Sequence, residues 1–381
     1  MAGVGMLTPA FVFGDAVGDG LAAGCVSAIR GQMAVLPDGP VLLNSYLVET
    51  GPQAADFDRT QANVAYVYDN ALAGLLLLAA GHEEEARRIG AALESAQAHD
   101  RFYKDGRLRN AYMAGAMAVP AKLPGWWDAK AGRWAEDPYQ VSSQSGPMAW
   151  AMLLWAALGM RAPADAAGDF LDDRLRAAAG YYGGFYGFEP EPLKLTWQST
   201  EQNVDLYAAF CRLGRAEDAA QAKKFVTAMW DAGLGRFDAG TRPDGEVNHL
   251  IAADVGIWPY LAGLGTADSA RRAVGALRRG AGIGFSGASA SIWLEGTAFA
   301  ALALRRLRDP LAAAFFATLA GNVAPEGYVY ATVAPELSTG LTTGPSLRKG
   351  VPEQAFDYFR RPALSTTAWA GLAAMGVNPL G

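Results

Sequence analysis

Histidine and cysteine are scarce in this chain. Its 381 residues include only three histidines, His82, His99 and His249, and two cysteines, Cys25 and Cys211. No histidine has a second ligand at metal spacing, and the cysteines lie far apart in apolar helical contexts, so no zinc site, redox pair or cofactor is expected. Both cysteines read as small buried hydrophobes. Charge is sparse as well: charged residues make up 18%, and the formal net charge is -6. That acidic balance counts against nucleic acid or an anionic membrane as a partner. No apolar run reaches spanning length, and the longest, near residues 71–80, reads as a core helix. Residues 1–14 are apolar, too short to span a bilayer, and lack the basic start of a signal peptide. As the remnant of a trimmed export signal they would indicate the periplasm or secretion, and otherwise the cytoplasm.

What the chain does have is apolar sequence, at 51% of residues, enough for a large interior. The length allows two domains, but barrels and toroids use this much sequence for one. The apolar segments come in pairs. Residues 64–81 form a nearly all-apolar helix followed by an amphipathic one at 82–99. The pairing recurs at 145–160 with 165–180, 199–213 with 215–231, 254–264 with 267–279, and 293–307 with 310–320. A last apolar helix at 365–375 has the amphipathic segment 16–33 as its candidate partner, and residues 40–49 read as extended.

Helices apolar all round belong inside and amphipathic ones outside. The expected fold is therefore all-α, an (α/α)6 toroid over residues 1–381 as one domain. Residues 1–59 would supply an outer helix and extended segment, and 60–381 the remaining hairpins. The long connections 100–143, 181–198, 236–253 and 322–364 would gather at the starts of the inner helices. They are rich in Gly, Trp, Tyr and Phe, and long loops are often functional.

Acidic residues recur at those helix starts. They are Asp69, Glu201, Asp205, Asp254 and Glu295, and the aromatics nearest in sequence are Tyr68, Trp197, Tyr207, Trp258 and Trp293. Ser199 and Gln202 have capping-box spacing, which puts Glu201 in a first helical turn and Asp205 one turn on. Acids also favour such positions because the helix dipole is positive there. Carboxyls beside aromatic rings suit a sugar site, since the C–H faces of a sugar stack on rings. The loop 125–140 adds Trp126 and Trp127, as a substrate platform or as a loop anchor. Gln144 stands at the next helix start as a hydroxyl partner or a cap. Arg360, in a polar cluster with Asp357, Tyr358 and Arg361, could meet a substrate carboxylate or form a surface salt bridge.

The segments YVYDNALA, YQVSSQSGPMAW, STEQNVDLYAAF, WLEGTAFAALAL and STTAWAGLAAMGVNPL resemble the six-hairpin glycosidases of bacteria, of which the family-8-like endoglucanases are one branch. The resemblance covers most of the chain after about residue 60 and implies a toroid that cleaves or binds polysaccharide. Glycoside hydrolysis needs one carboxylic acid and a second carboxylate. Glu201 is the candidate acid, with Asp69, Asp254 or Glu295 as the second group. Trp197, Trp126, Trp127, Tyr68, Gln144, Asp205, Tyr207, Trp293 and Arg360 are the candidate contacts to a carbohydrate substrate. The alternatives are a non-catalytic polysaccharide-binding or assembly protein, or a lyase or epimerase on the same toroid, which would call for a His or Tyr base. Sugar identity, linkage, stereochemical outcome and oligomeric state are not encoded in these patterns.

Overall fold

The computed structural model of the chain describes residues 16–51 and 53–381. The apolar segment 1–14, with its export-signal reading, lies outside the described residues. The helices are α1 (Ala16–Ala34), a short α2 (Asp56–Gln61), α3 (Val67–Ala79), α4 (Glu83–Ala98), α5 (Ser145–Leu158), α6 (Arg161–Leu175), α7 (Thr200–Arg212), α8 (Ala216–Ala228), α9 (Ala253–Leu261), α10 (Ala267–Leu277), α11 (Leu294–Arg306), α12 (Leu311–Ala320) and α13 (Leu364–Met375).

Helices α3, α5, α11 and α13 are buried on nearly every face, whereas α4 and α10 bury a single stripe. With α7 and α9, the buried helices pack in cyclic order: α3 on α5, α5 on α7, α7 on α9, α9 on α11, α11 on α13, and α13 back on α3. Each of α4, α6, α8, α10 and α12 lies against the inner helix before it, and α1 lies against α13 and α12. Small residues let the inner helices close on one another. A Cβ at Gly74 would come within 2.8 Å of the Leu154 side chain, and one at Gly371 within 2.6 Å of Leu76.

Each inner helix starts from an extended residue: Tyr66, Gln144, Ser199, Ala252, Trp293 and Ala363. The N–H of the first helical residue then donates to a carbonyl in the loop leading to the next inner helix. The bonds run from Val67 to Asn110 (2.9 Å), Ser145 to Gly183 (3.1 Å), Thr200 to Ala239 (2.9 Å), Ala253 to Phe285 (2.9 Å), Leu294 to Ala331 (3.0 Å) and Leu364 to Ser45 (2.9 Å). Each satisfies an N–H that a helix start leaves without an intrahelical partner. The last bond returns to the loop ahead of α3, so the series closes on itself and holds all the starts in one layer.

The chain is helix-rich, as expected, and short antiparallel pairs that the sequence reading did not include fill the loop layer. Val64–Tyr66 pairs with Ala111–Met113, Trp126–Asp128 with Arg133–Ala135, and Glu336–Thr342 with Ala355–Phe359. Pairs of two or three residues carry too little alternation to be read from sequence. The hairpin 336–359 is fixed at its base, where the hydroxyls of Ser286 and Ser289 donate to the carbonyls of Thr339 (2.7 Å) and Ser338 (2.8 Å). Its tip reaches the loop between α6 and α7, with Gly344 against the Tyr186 ring and Leu347 against Gly187. The cysteine expectation is corrected in part: Cys25 is buried, but Cys211, in the last turn of α7, is exposed. Among the described residues, no helix is long and apolar enough to cross a membrane.

Candidate active site

With the starts in one layer, residues at equal positions along the inner helices form layers of their own. The second residues are Tyr68, Gly146, Glu201, Asp254, Glu295 and Ser365, and the sixth are Leu72, Trp150, Asp205, Trp258, Phe299 and Trp369. Hydrogen bonds cross the upper layer: Tyr68 Oη donates to Glu295 Oε1 at 2.6 Å, and Ser365 Oγ to Glu295 Oε2 at 2.8 Å. From the layer below, Trp369 Nε1 donates to Tyr68 Oη at 2.8 Å. The lower layer is closed by ring contacts. Centroid separations are 5.4 Å for Trp150–Trp258, 5.5 Å for Trp258–Phe299, 5.6 Å for Phe299–Trp369 and 5.7 Å for Trp150–Trp369. A floor of aromatic rings thus lies one helical turn beneath a ring of acidic and hydroxyl groups.

Asp69, the third residue of α3, joins Glu201, Asp254 and Glu295 at the upper level. The charges acting most strongly on these groups and on Asp205 are those of one another, and no Arg, Lys or His is among them. Burial pushes Asp254 up to about 6, opposed by the Val255 N–H that donates to its Oδ1 at 2.7 Å. Burial pushes Glu295 up to about 7 against the hydroxyls of Tyr68 and Ser365. Glu201 rises to about 8 through burial and then the Asp254 charge, opposed by the Ser199 hydroxyl 3.2 Å from its Oε2. Burial holds Asp69 and Asp205 well above the usual carboxylate range. Glu201 is enclosed by protein on most sides yet keeps some contact with solvent. Near neutral pH Glu201 therefore carries a proton while Asp254 has given one up.

Asp205 is fully buried in the aromatic layer; neither of its oxygens nor the Trp150 Nε1 makes a hydrogen bond of full geometry, although Trp150 and Glu201 both lie close enough to act on its proton. Above the acids stand Tyr46, Tyr66, Tyr139 and Tyr358, whose hydroxyls feel the charges of Asp69, Glu201 or Glu295. Tyr358 comes from the hairpin, and Phe356 beside it meets the Tyr139 ring at 6.3 Å. Among the described residues, the hydroxyls of Tyr46, Tyr139 and Tyr358 and the side-chain amide of Gln144 make no hydrogen bond to protein.

The structure therefore brings Asp69, Glu201, Asp205, Asp254, Glu295 and Tyr68 together. Trp197 lies just before α7 and rests on Gly183, where a Cβ would come 2.5 Å from its ring. Trp293 is the buried residue just ahead of α11, its ring 4.9 Å from Phe285 and 5.4 Å from Tyr358. Tyr207 sits beside Cys211, on another face of α7 from Asp205. Trp126 and Trp127 lie on a surface hairpin, where Trp127 pairs with Trp134. Arg360 is engaged by Asn322 Oδ1 (3.0 Å), the carbonyls of Thr332 (3.0 Å) and Val333 (3.1 Å), and the Tyr330 ring. Arg361 binds Asp58 through two bonds, of 2.6 and 2.7 Å.

Half of the expected capping box forms. Gln202 N–H donates to Ser199 Oγ at 3.3 Å, but the Gln202 side chain accepts from Ser145 Oγ at 2.7 Å. Asn203 is also structural, its amide exchanging bonds with the Tyr181 backbone. His249 pairs with Asp238 at 2.9 Å on the loop before α9. Residues that local reading missed are Trp150, Trp369, Ser365 and Tyr46. The first three emerge once the inner helices are aligned on their first residues. Among the described residues, no three His, Cys, Asp or Glu side chains converge as a metal-binding group.

No protein-family model and no curated protein matches the sequence. Solved structures do match in fold. The chain is similar in fold to six-hairpin toroid enzymes. A glycosidase variant in complex with glucose is 14% identical, with a TM-score of 0.62 over 96% of this chain and 98% of its own. An alpha-amylase from Clostridium perfringens is 10% identical, with a TM-score of 0.61 over 94% and 98%. A cellobiose 2-epimerase from Spirochaeta thermophila is 14% identical, with a TM-score of 0.58 over 94% and 96%. At these identities the likeness speaks for fold alone.

Proposed function

We propose that this protein is a glycoside hydrolase built as a single (α/α)6 toroid domain, acting on an oligosaccharide or polysaccharide in the cleft above the acid ring. The cyclic packing of the inner helices and the closed series of bonds at their starts support the toroid. The observation that carries the function is the pairing of Glu201 and Asp254. They are second residues of neighbouring inner helices, over an aromatic floor, and their environments separate their proton affinities, to about 8 and about 6. Glu201 donates its proton to the leaving glycosidic oxygen, and Asp254 activates a water or attacks the sugar. Glu295, fixed by Tyr68 and Ser365, accepts from a sugar hydroxyl. Fold relatives that include a glycosidase and an alpha-amylase support the same reading.

Isomerase and epimerase relatives share the fold, and that chemistry commonly calls for a histidine or tyrosine base. None of the three histidines acts on the acid ring, and burial raises Tyr46, Tyr66, Tyr68, Tyr139 and Tyr358 so that they keep their protons, which favours hydrolysis. The test is to incubate the protein with a panel of α- and β-linked oligosaccharides, following new reducing ends and tryptophan fluorescence. Hydrolysis of one linkage class is expected. Fluorescence change without cleavage would instead indicate a binding protein, and conversion without new reducing ends an epimerase.

A further inference from the structure

Building on the glycosidase reading, we infer that the site selects its sugar by charge: it takes neutral or amine-bearing sugars and rejects those carrying a carboxylate, sulfate or phosphate. The inference rests on which groups surround the acid ring and which do not. Its titratable groups are the carboxyls of Asp69, Glu201, Asp254 and Glu295, with Asp205 beneath; the ionised member nearest neutral pH is Asp254, and no Arg, Lys or His is among the groups that act on any of them. An anionic substituent would need a cation in reach, and guanidinium is the usual partner.

The arginines placed by sequence to serve such a substituent are committed elsewhere. Arg360 holds Asn322 and two backbone carbonyls, and Arg361 is locked to the buried Asp58. Arg101, Arg107 and Arg109, in the neighbouring loop, are paired with Glu136, Asp105, Asp100 and Glu189. The groups that remain free around the acids are neutral: the hydroxyls of Tyr46, Tyr139 and Tyr358 and the amide of Gln144, itself more than nine-tenths buried. Hydroxyls and amides suit sugar hydroxyls, and an ammonium group gains from the carboxylates. A carboxylate would be desolvated against charge of its own sign.

The test uses 4-nitrophenyl glycosides of both anomers in matched sets: the neutral hexoside, the hexuronide and the 2-amino-2-deoxyhexoside, in gluco, galacto and manno configuration. Binding is followed by tryptophan fluorescence and calorimetry at pH 7. In the configuration that binds, the hexuronide should be at least about tenfold weaker than the neutral sugar, a modest part of what like charges exert in a poorly solvated cleft. The amino sugar should bind at least as well as the neutral one. In Asp254→Asn, which removes one charge, the neutral-to-uronide gap should narrow. A hexuronide that binds as tightly as its neutral counterpart, or a gap unchanged in Asp254→Asn, overturns the inference and leaves the glycosidase reading standing. No binding in any set removes both.

Discussion

The acid ring around Glu201 and the cluster around Arg109 both withdraw charge from water, with opposite balance. In the Arg109 cluster every charge has a partner. The fully buried guanidinium donates to both oxygens of Asp100 (2.6 and 3.0 Å), to Glu189 (2.9 Å) and to the Val141 carbonyl (3.1 Å). Burial alone would raise Asp100, but Arg109 and the N–H groups of Phe102 and Tyr103 overrule it and hold the carboxyl low. In the acid ring no cation answers the carboxyls, and burial lifts all of them. The first cluster ties the loops 100–143 and 181–198 to one another. The second keeps protons poised, at a cost in stability that the proposed reaction would explain.

The contrast is broken most sharply by Glu201→Gln. The amide preserves shape and the N–H to Ser199 Oγ cap but carries no transferable proton. Turnover should fall by about two to four orders of magnitude, with sugar binding and the circular dichroism spectrum retained. Wild-type turnover in a folded Glu201→Gln protein would reduce Glu201 to a helix-dipole residue. Arg109→Met should act the opposite way, costing about 3–5 kcal/mol of stability by leaving Asp100 buried and unanswered. Urea unfolding measures it, and a loss under about 1 kcal/mol would mean that the cluster is only ornamental to the fold.

The alternation of apolar and amphipathic helices gave the hairpins within a few residues, because helix burial writes a long periodic signal. Glu201, Asp254 and Glu295 were visible as acids at helix starts. Their equivalence as second residues was not, since it depends on backbone bonds such as Thr200 N–H to the Ala239 carbonyl, which leave no side-chain trace. Trp150 and Trp369 were hidden for a related reason: inside an apolar helix a tryptophan looks like packing until its neighbours across the ring are known. Asn203, in the same stretch as Glu201, is a polar side chain spent on the Tyr181 backbone.

The two clusters should also respond to pH with opposite sign. The ring's carboxyls have raised values in the folded state, so their contribution is complete below the unfolded carboxyl range, about 4. It is lost as pH rises through about 6 for Asp254, 7 for Glu295 and 8 for Glu201. Asp100 and Glu189 are held low, so they stabilise above that range and the contribution is lost as pH falls. Unfolding midpoints at pH 5 and pH 9 should show Glu201→Gln gaining on wild type at the higher pH. Arg109→Met should lose part of its penalty in acid. Parallel curves for the variants and wild type would contradict the assigned charge states.

Asp205→Leu sharpens the comparison further, because Asp205 is the one carboxyl set among Trp150, Trp258, Phe299 and Trp369. A leucine completes that layer, as Leu72 does on α3, and removes an unpartnered buried group. Stability should rise by about 1–3 kcal/mol while turnover falls, the trade expected where function strains the fold. A destabilised Asp205→Leu protein would mean that the carboxyl is better satisfied than its geometry indicates.

The smallest effect is expected at Trp127, where sequence and structure pull apart. Its ring is 61% exposed, on a hairpin whose Gly125 is tied to Asn63 ahead of α3, and it pairs across strands with Trp134, 45% exposed. No ring contact joins either tryptophan to the aromatic floor or to the tyrosines above the acids. Trp127 thus has nothing to offer a sugar seated on Glu201 and Asp254, yet its face is open to units further along a longer chain. Trp127→Ala should leave cleavage of a short glycoside unchanged and raise KM for a long oligosaccharide by a few-fold, about 0.5–1 kcal/mol of stacking. Equal loss on short and long substrates would bring the hairpin into the site itself, and no loss on either would leave Trp127 as an anchor of its own loop.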